Sequence, residues 1–495
     1  MILVLVLDAT SKFPYTGLHY ASRLDYGNFD QCLSVDHKYE GGRILGKHCN
    51  AGLLIPDLGG NITDINAYFK LAVCMPDGCT AKDYNTIARH FIKIFPPLFQ
   101  DERCQTVDSG TDLTATDIVT ITIFAICIAL MIVSTIYDFY LHKTESKSIH
   151  PACLAFSVLS NGRKLLHISK NSKDQIQTFH GLKVISMMWV VAGHGFAVWP
   201  HISITNKRDV ESFLHQRYSL YISTAHLAVD TFFFISGFLL AFQYLKSKTK
   251  PLMVQVSSIP YMYVHRYLRL TPACLTQTWY LSADMQMFLL SPLILIPISL
   301  NLRRSSGFKV SIVELFILNL FCIAMPMALK LVFQDYGNEY DTHSRLINYF
   351  MGMMLGLFMR VKQDKPFLYG IDRKYVSITN LITWIIILLG MLATVICYQE
   401  VEMNHGYTSL SVFYSLMRPA WCIGLSWIVY SCYHGYGGFV NWLLCLPVFQ
   451  IGGRLTYCMY LVHLSVIMYY TLTIRTYWYF SDYNVVSIIF LLLLF

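Results

Sequence analysis

The sequence predicts an all-α multi-pass membrane bundle of about 10 spans, preceded by a small cysteine-rich domain on the lumenal or extracellular side. Three observations predict it. Of 495 residues, 55% are hydrophobic and only 14% charged, where a soluble chain carries about 25% charge. The apolar residues gather in runs near the length of about 20 that crosses a bilayer, and 33 Tyr, 31 Phe and 8 Trp supply the aromatic belts that flank such runs. Five of the 14 cysteines, Cys32, Cys49, Cys74, Cys79 and Cys104, fall in the first 104 residues, together with the chain's only N-x-S/T sequon, Asn61-Ile62-Thr63. The net charge of +8 lies in short clusters between apolar runs. That pattern orients helices in a membrane and does not point to nucleic acid. No C-x2-C pair points to zinc, and no metal is expected.

Residues 1–116 read as the separate cysteine-rich domain. Clustered cysteines beside a sequon imply an oxidising compartment, disulfides among the five cysteines and a glycan on Asn61. Five is odd, so one thiol is left over or its partner is missing. Connectivity stays open, with Cys74 and Cys79 both expected in bridges. Ala81–Pro96 has an amphipathic helical pattern, and the rest is Gly/Asp-rich. Met1–Leu7 is apolar but short for a signal core and lacks a basic start or a small-residue cleavage site, so the natural start is expected upstream.

Residues 117–137 form the first transmembrane helix. Residues 138–178 form a basic linker in which Lys143, Lys147, Arg163, Lys164, Lys170 and Lys173 crowd together. The positive-inside rule makes this linker cytoplasmic. The cysteine-rich domain is then outside, in agreement with its sequon, in the endoplasmic reticulum or the plasma membrane. Residues 179–495 carry the remaining spans, expected at Gly181–Trp199, Leu220–Tyr244, within Leu270–Leu302, Val310–Phe333, Leu346–Phe358, Val376–Cys397, Leu410–Ser431 and Leu455–Ile474, with a last apolar run at Val485–Phe495. One parity problem arises. Lys246–Arg269 and Arg303–Lys309 are both basic and both belong inside, yet Leu270–Leu302 has room for only one helix of about 20 residues. A re-entrant segment or a lost stretch of chain is expected there.

Ionisable groups inside spans are costly and are functional candidates. Lys183 and His194 are eleven residues apart, which returns them to one helix face about 16 Å apart. His194, between Gly193 and Gly195, suits a general base for a hydroxyl proton near neutral pH. A structural histidine and a snorkelling lysine are the plain alternative. Asp230, deep in an apolar run, needs a partner. His194 is one choice, with the carboxylate orienting the imidazole, and His226 or a backbone group is another. Arg266 and Arg269, at i and i+3, form a candidate phosphate clamp at the cytoplasmic mouth of the next span. Asp284 and His463 are further polar groups within spans and read as structural. No G-x-S-x-G elbow, P-loop, G-x-G-x-x-G or H-E-x-x-H is present.

Together these pieces resemble the acyltransferase-3 integral membrane proteins. Lys183-x10-His194 resembles that family's Arg/Lys-x10-His signature, and Arg266-Tyr267-Leu268-Arg269 its R-x-x-R element. The longer strings resemble its animal branch, named for the nose-resistant-to-fluoxetine protein: His180–Ser186, Val229–Gly237, Arg266–Pro272, Thr278–Gln286, Arg418–Trp421 and Leu455–His463. Gly46–Cys49 and Cys74–Cys79 resemble that branch's N-terminal domain. The resemblance departs in one place: family members carry many tens of residues between the strings that here end at Pro272 and resume at Thr278. An incomplete isoform or gene model is expected, with the last span also cut and an upstream cysteine missing.

The resemblance implies acyl transfer to a hydroxyl or amine of a lipid, sugar or small molecule. Acyl-CoA is the expected co-substrate, membrane lipid the surroundings, and no bound cofactor is expected. His194 would be the base, Asp230 its orienter, Lys183 a cation towards the donor, and Arg266 and Arg269 the phosphate ligands. The rival implication is a carrier of lipids or small hydrophobic compounds that uses the same buried polar groups without acyl chemistry.

Overall fold

The computed structural model describes residues 2–12, 18–20, 22, 24–40, 42–53, 70–91, 97–110, 113–146, 148, 150–168, 176–198, 204–247, 251–270, 279–333, 342–362, 373–404, 407–475, 478–481 and 483–484. Asn61 and Val485–Phe495 lie outside them. The chain divides into two compact units. One comprises Met1–Leu166, Ala197–Phe213 and Ile467–Leu491, and the other His167–Phe196 and Leu214–Val466.

In the first unit, α1 (Ile2–Ala9), β1 (Leu24–Asp25), α2 (Phe29–Leu33), β2 (Asp36–Tyr39), β3 (Gly42–Leu53), β4 (Lys70–Pro76), α3 (Ala81–Phe91) and β5 (Pro97–Thr106) form a small sheet domain. The long β3 is its spine, antiparallel to β2, β4 and β5, while β1 adds in parallel to β4. Cys49, Val73, Met75, Ala81 and Phe99 make the buried core. The helix read at Ala81–Pro96 is α3, described as far as Phe91. Thr80 and Asp83 cap it by exchanging backbone and side-chain bonds, and Asn85 ties it to β5 by bonding both the N–H and the C=O of Phe99.

The sheet decides the disulfides. The β3–β5 register sets Cys49 opposite Cys104, and these two are bridged. Cys32, on α2, is bridged to Cys74 on β4. Cys79, expected in a bridge, is a free, half-buried thiol. It follows the turn that ends β4, and the other four cysteines are consumed by strand register and by the docking of α2. Ala9, at the end of the apolar α1, is buried beside Cys32 and Cys74.

The helices that follow are α4 (Ala115–Thr144), α5 (Val158–Leu166), α6 (Thr178–Ala197), α7 (Lys207–Leu214), α8 (Leu220–Ser223), α9 (His226–Tyr244), α10 (Leu252–Leu270), α11 (Trp279–Asn301), α12 (Gly307–Phe333), α13 (Thr342–Val361), α14 (Arg373–Asn404), α15 (Tyr407–Tyr433), α16 (Gly438–Leu444) and α17 (Pro447–Leu472). Among the described residues seven helices, α4, α9, α11, α12, α14, α15 and α17, are long and apolar enough to cross a membrane. The expected total of about 10 spans counts α6 and α13 as well. Both have span length, but His180, Lys183 and His194 dilute the hydropathy of α6, and Arg345, Asn348 and Arg360 that of α13.

A further helix lies in the stretch where the parity problem arises. Leu252–Leu270, read as part of a basic loop, is a 19-residue helix lying antiparallel to α11. Gln255 and Ser299 share a hydrogen bond near one end, Tyr263 donates to the Leu289 carbonyl midway, and Arg266 meets Asp284 near the other. Two helices, α10 and α11, therefore stand between the lysines at 246–250 and Arg303–Lys309, although α10 falls short of the hydropathy of a span.

In the second unit α9 and α13 form the tightest helix pair. A Cβ on Gly237 would come within 2.0 Å of the Tyr349 carbonyl oxygen, and one on Gly352 within 2.1 Å of the Phe234 oxygen. The missing side chains let the two backbones touch. Phe233, Phe234, Phe238, Tyr349 and Met353 pack around this crossing.

Candidate active site

The helices α6 and α17 lie side by side and point the same way. Near their starts Gly452 and Gly453 lie against Val184 and His180, and further along both helices His463 lies against His194. Each histidine stands 16 residues into its helix, from Thr178 and from Pro447, so both sit at the same depth, about 24 Å from the helix starts. Nε2 of His463 and Nδ1 of His194 are 3.0 Å apart.

What surrounds His463 settles where the protons are. Its Nδ1 lies 2.7 Å from the Tyr460 carbonyl and 3.2 Å from that of Met459. Carbonyl oxygens only accept, so Nδ1 carries the proton. In the neutral ring Nε2 is then an acceptor, and the 3.0 Å contact requires His194 to donate through Nδ1. That leaves the lone pair of His194 on Nε2. A chain of backbone carbonyl, His463 and His194 fixes one tautomer and aims one basic nitrogen. His463 is buried and His194 half-buried. The ring bonded to His194 is thus a second histidine, on α17, where the sequence suggests a structural role.

Asp230 is not the partner of His194. Its Oδ1 accepts from Arg345 Nη1 at 2.5 Å and from Asn348 Nδ2 at 2.6 Å, and Arg418 Nε lies 3.7 Å from its Oδ2. Arg418 also donates to the Ser344 carbonyl, and Cys422 donates to Asn348. Asp230 and Asn348 are fully buried and Arg345 almost so. The carboxylate therefore ties α9 to α13 and α15 in the interior. The expected pairing loses because two guanidiniums and an amide on neighbouring helices offer a charged carboxylate far more than an imidazole does.

Arg266 departs from its expected place at the cytoplasmic mouth. Because α10 continues as a helix to Leu270, Arg266 is carried to the middle of α9. There it forms an ion pair with Asp284 of α11 and donates to Ser236 Oγ at 2.9 Å, while Ser236 donates to Asp284 at 2.7 Å. Its guanidinium also stacks over Phe288. The side chain of Arg269 lies outside the described residues. A file of rings leads from the histidines towards this cluster: Tyr460 is 5.8 Å from His463, and Tyr280, one turn before Asp284, is 5.7 Å from Tyr460.

Lys183 lies near the start of α6, as expected, and has company that the sequence reading did not assign. Arg454, near the start of α17, shares with it the electrostatic surroundings of His180 and donates to the His167 carbonyl at 2.6 Å. The α6–α17 pair thus carries a basic end and, about 16 Å further along, a histidine pair.

The sequence profile of the acyltransferase domain matches residues 176–273 and 258–495, which takes in both histidines, Lys183 and the arginine pair. The chain belongs to the nose-resistant-to-fluoxetine family of acyltransferase-3 membrane proteins. The N-terminal domain of the nose resistant-to-fluoxetine protein matches residues 3–88. Nose resistant to fluoxetine protein 6 of Caenorhabditis elegans is 23% identical over 600 aligned positions, covering 94% of this chain and 72% of the worm protein. The 600 positions exceed the 495 residues of the chain, so this family relative carries stretches that the chain lacks, and the two domain matches meet at 258–273. No solved structure matches the chain.

Proposed function

We propose that the protein transfers an acyl group from acyl-CoA to a hydroxyl or amine of a lipid, sugar or small molecule, with His194 Nε2 as general base. The observation that carries this reading is the hydrogen-bonded run from the Tyr460 carbonyl through His463 to His194, because it leaves a single imidazole lone pair fixed in direction. The acceptor O–H or N–H gives its proton to His194 Nε2 as the acceptor atom bonds to the thioester carbon. The C–S bond then breaks, and the proton passes from His194 to the departing thiolate, so the base is regenerated. His463 positions the base and helps spread the positive charge that His194 carries in between.

The donor's phosphates fit the basic end of the same helix pair, with Lys183 and Arg454 as ligands. The thioester arm then runs along the seam towards His194. This reading moves Arg266 from the phosphate site to a bond that holds α10 against α9 and α11, and it sets the basic end on the cytoplasmic side, with the N-terminal domain lumenal or extracellular.

The test is acyl transfer from labelled acyl-CoA by the purified chain in lipid, against a panel of hydroxyl and amine acceptors. Wild type should yield acylated product, and His194→Ala should lower turnover by roughly 10²–10⁴ with membrane insertion intact. Normal turnover by folded His194→Ala would end the assignment.

A further inference from the structure

The helix α4 has 30 residues, about 45 Å of rise against a hydrocarbon core of about 30 Å. Its apolar stretch begins at Ile118, and about 30 Å of rise from there ends at Asp138. At that depth the chain folds back onto it. Ser157 and Ser160 donate to Asp138 Oδ2 at 2.5 and 2.8 Å, Val158 N–H donates to Thr135 Oγ1 at 3.0 Å, and Ser134 donates to the Cys153 carbonyl at 2.7 Å. These bonds clamp the turn Pro151–Leu154 and the start of α5 to α4 at the boundary between hydrocarbon and headgroups.

The nine residues of α5 divide cleanly around its axis. At 100° per residue, Val158, Leu159, Gly162, Leu165 and Leu166 fall within an arc of about 120°, and Ser160, Asn161, Arg163 and Lys164 fill the remainder. Among the described residues most of the apolar arc stands uncovered: Val158 is 52% exposed, Leu159 37% and Leu166 61%, with Phe156 exposed beside them. Arg163, on the polar side of α5, and Lys143, in the last turn of α4, are both exposed. Across 138–178 six Lys and Arg face only Asp138, Glu145 and Asp174.

We propose that α5 is an in-plane membrane anchor. Its apolar arc seats among the acyl chains, and its basic flank binds the headgroups of anionic phospholipids. Three observations select a lipid surface as the occupant. The patch is continuous with the lipid-facing surface of α4, which is itself only 6% buried. The depth set by Asp138 is that of the interface. The charge beside the patch is opposite to that of an anionic leaflet. The anchor does not depend on the acyl chemistry, and only the choice of the cytoplasmic leaflet rests on the topology above.

Hydrogen exchange of the full-length protein in lipid nanodiscs tests this. The peptide 156–168 should exchange more slowly in phosphatidylcholine with phosphatidylserine than in phosphatidylcholine alone, by on the order of fivefold for each basic group engaged. Added salt should narrow the difference. Leu159→Ser with Leu166→Ser should speed exchange in both lipids. Arg163→Glu, at an exposed site, should shrink the dependence on phosphatidylserine by about fivefold or more while β5 exchanges as in wild type. Exchange indifferent to lipid composition and to both variants would overturn the anchor, because the arc would then be covered by protein. Equal slowing in both lipids would overturn the headgroup assignment.

Discussion

The Asp230 cluster and the His194–His463 pair are both polar groups in the helical interior, and they are built on opposite plans. Around Asp230 every partner is stronger than the sequence suggested: two arginines and an amide from two other helices converge on one carboxylate. One carboxylate holds two guanidiniums from two helices, so the cluster resists change. Around His194 the bonds run in one direction, from a backbone carbonyl to a ring nitrogen that is left basic. Only two helices are joined, and the far nitrogen carries chemistry instead of cohesion. Convergence of charged partners marks a fastener, and a run of bonds that ends on a basic nitrogen marks a reagent.

Removing each centre should separate the two plans most sharply. His194→Ala should take away most of the turnover, as stated above, and leave the unfolding midpoint in lipid near that of wild type. Asp230→Asn should do the reverse. It strands Arg345 and Arg418 without their counter-ion, which costs about 3–5 kcal/mol. Yield and thermal midpoint should fall, while turnover per folded molecule stays within a few fold of wild type. A stable Asp230→Asn protein lacking activity would return Asp230 to the active site and dissolve the distinction.

The two ends of the α6–α17 pair give a finer version of the same comparison. If Lys183 and Arg454 bind donor phosphate, Lys183→Ala or Arg454→Ala should raise the donor KM roughly tenfold, the value of a hydrogen bond to a charged group, with kcat little changed. Lys183→Arg should be mild, since the site asks for a cation and not for a titrating amine. High salt should shrink the wild-type advantage. Arg266→Ala should behave instead like Asp230→Asn, on stability. A donor KM that follows Arg266 rather than Arg454 would restore the phosphate clamp to α10.

The helices were legible because a bilayer imposes length and hydropathy on each span separately. The pairings were not, because they depend on which faces meet. Asp230, His194 and His463 are each conspicuous as ionisable residues in apolar runs, yet nothing local says that the first belongs to Arg345 and the other two to each other. One signal was available. Arg345 falls one residue outside the span read at Leu346–Phe358, and a span drawn to include it would have shown a buried cation wanting the carboxylate of Asp230. Arg266 was misplaced for a related reason, since α10 is too polar to read as a membrane helix and only its contacts with α11 show how far it carries the guanidinium. In the N-terminal domain one disulfide follows from the β3–β5 register and the other from the docking of α2 on β4, and nothing local in the sequence announces either pairing, so connectivity stayed open.

The smallest effect expected contrasts that N-terminal domain with the bundle. His48 on β3 is buried, donates from Nε2 to the Tyr26 carbonyl at 2.9 Å and packs edge-on against Phe29. Burial holds its pKa below the ordinary value, against a smaller opposing pull from the Tyr26 bond. Between the folded pKa and the ordinary value of about 6.5, the unfolded domain binds a proton that the folded one does not. Stability is therefore full above that range and declines as the pH falls through it. The carboxylates act elsewhere. Arg43 holds the Asp36 carboxyl low, and the Ala81 N–H and then Lys47 do so for Asp101, so their contribution is lost only as the pH falls below about 4. Protease cutting within residues 1–116 of the full-length protein should accordingly quicken between pH 7 and pH 5. His48→Gln, which keeps an N–H for Tyr26 without a titrating ring, should flatten that rise. An equal rise in His48→Gln would assign the acid sensitivity to other groups and leave His48 a packing residue.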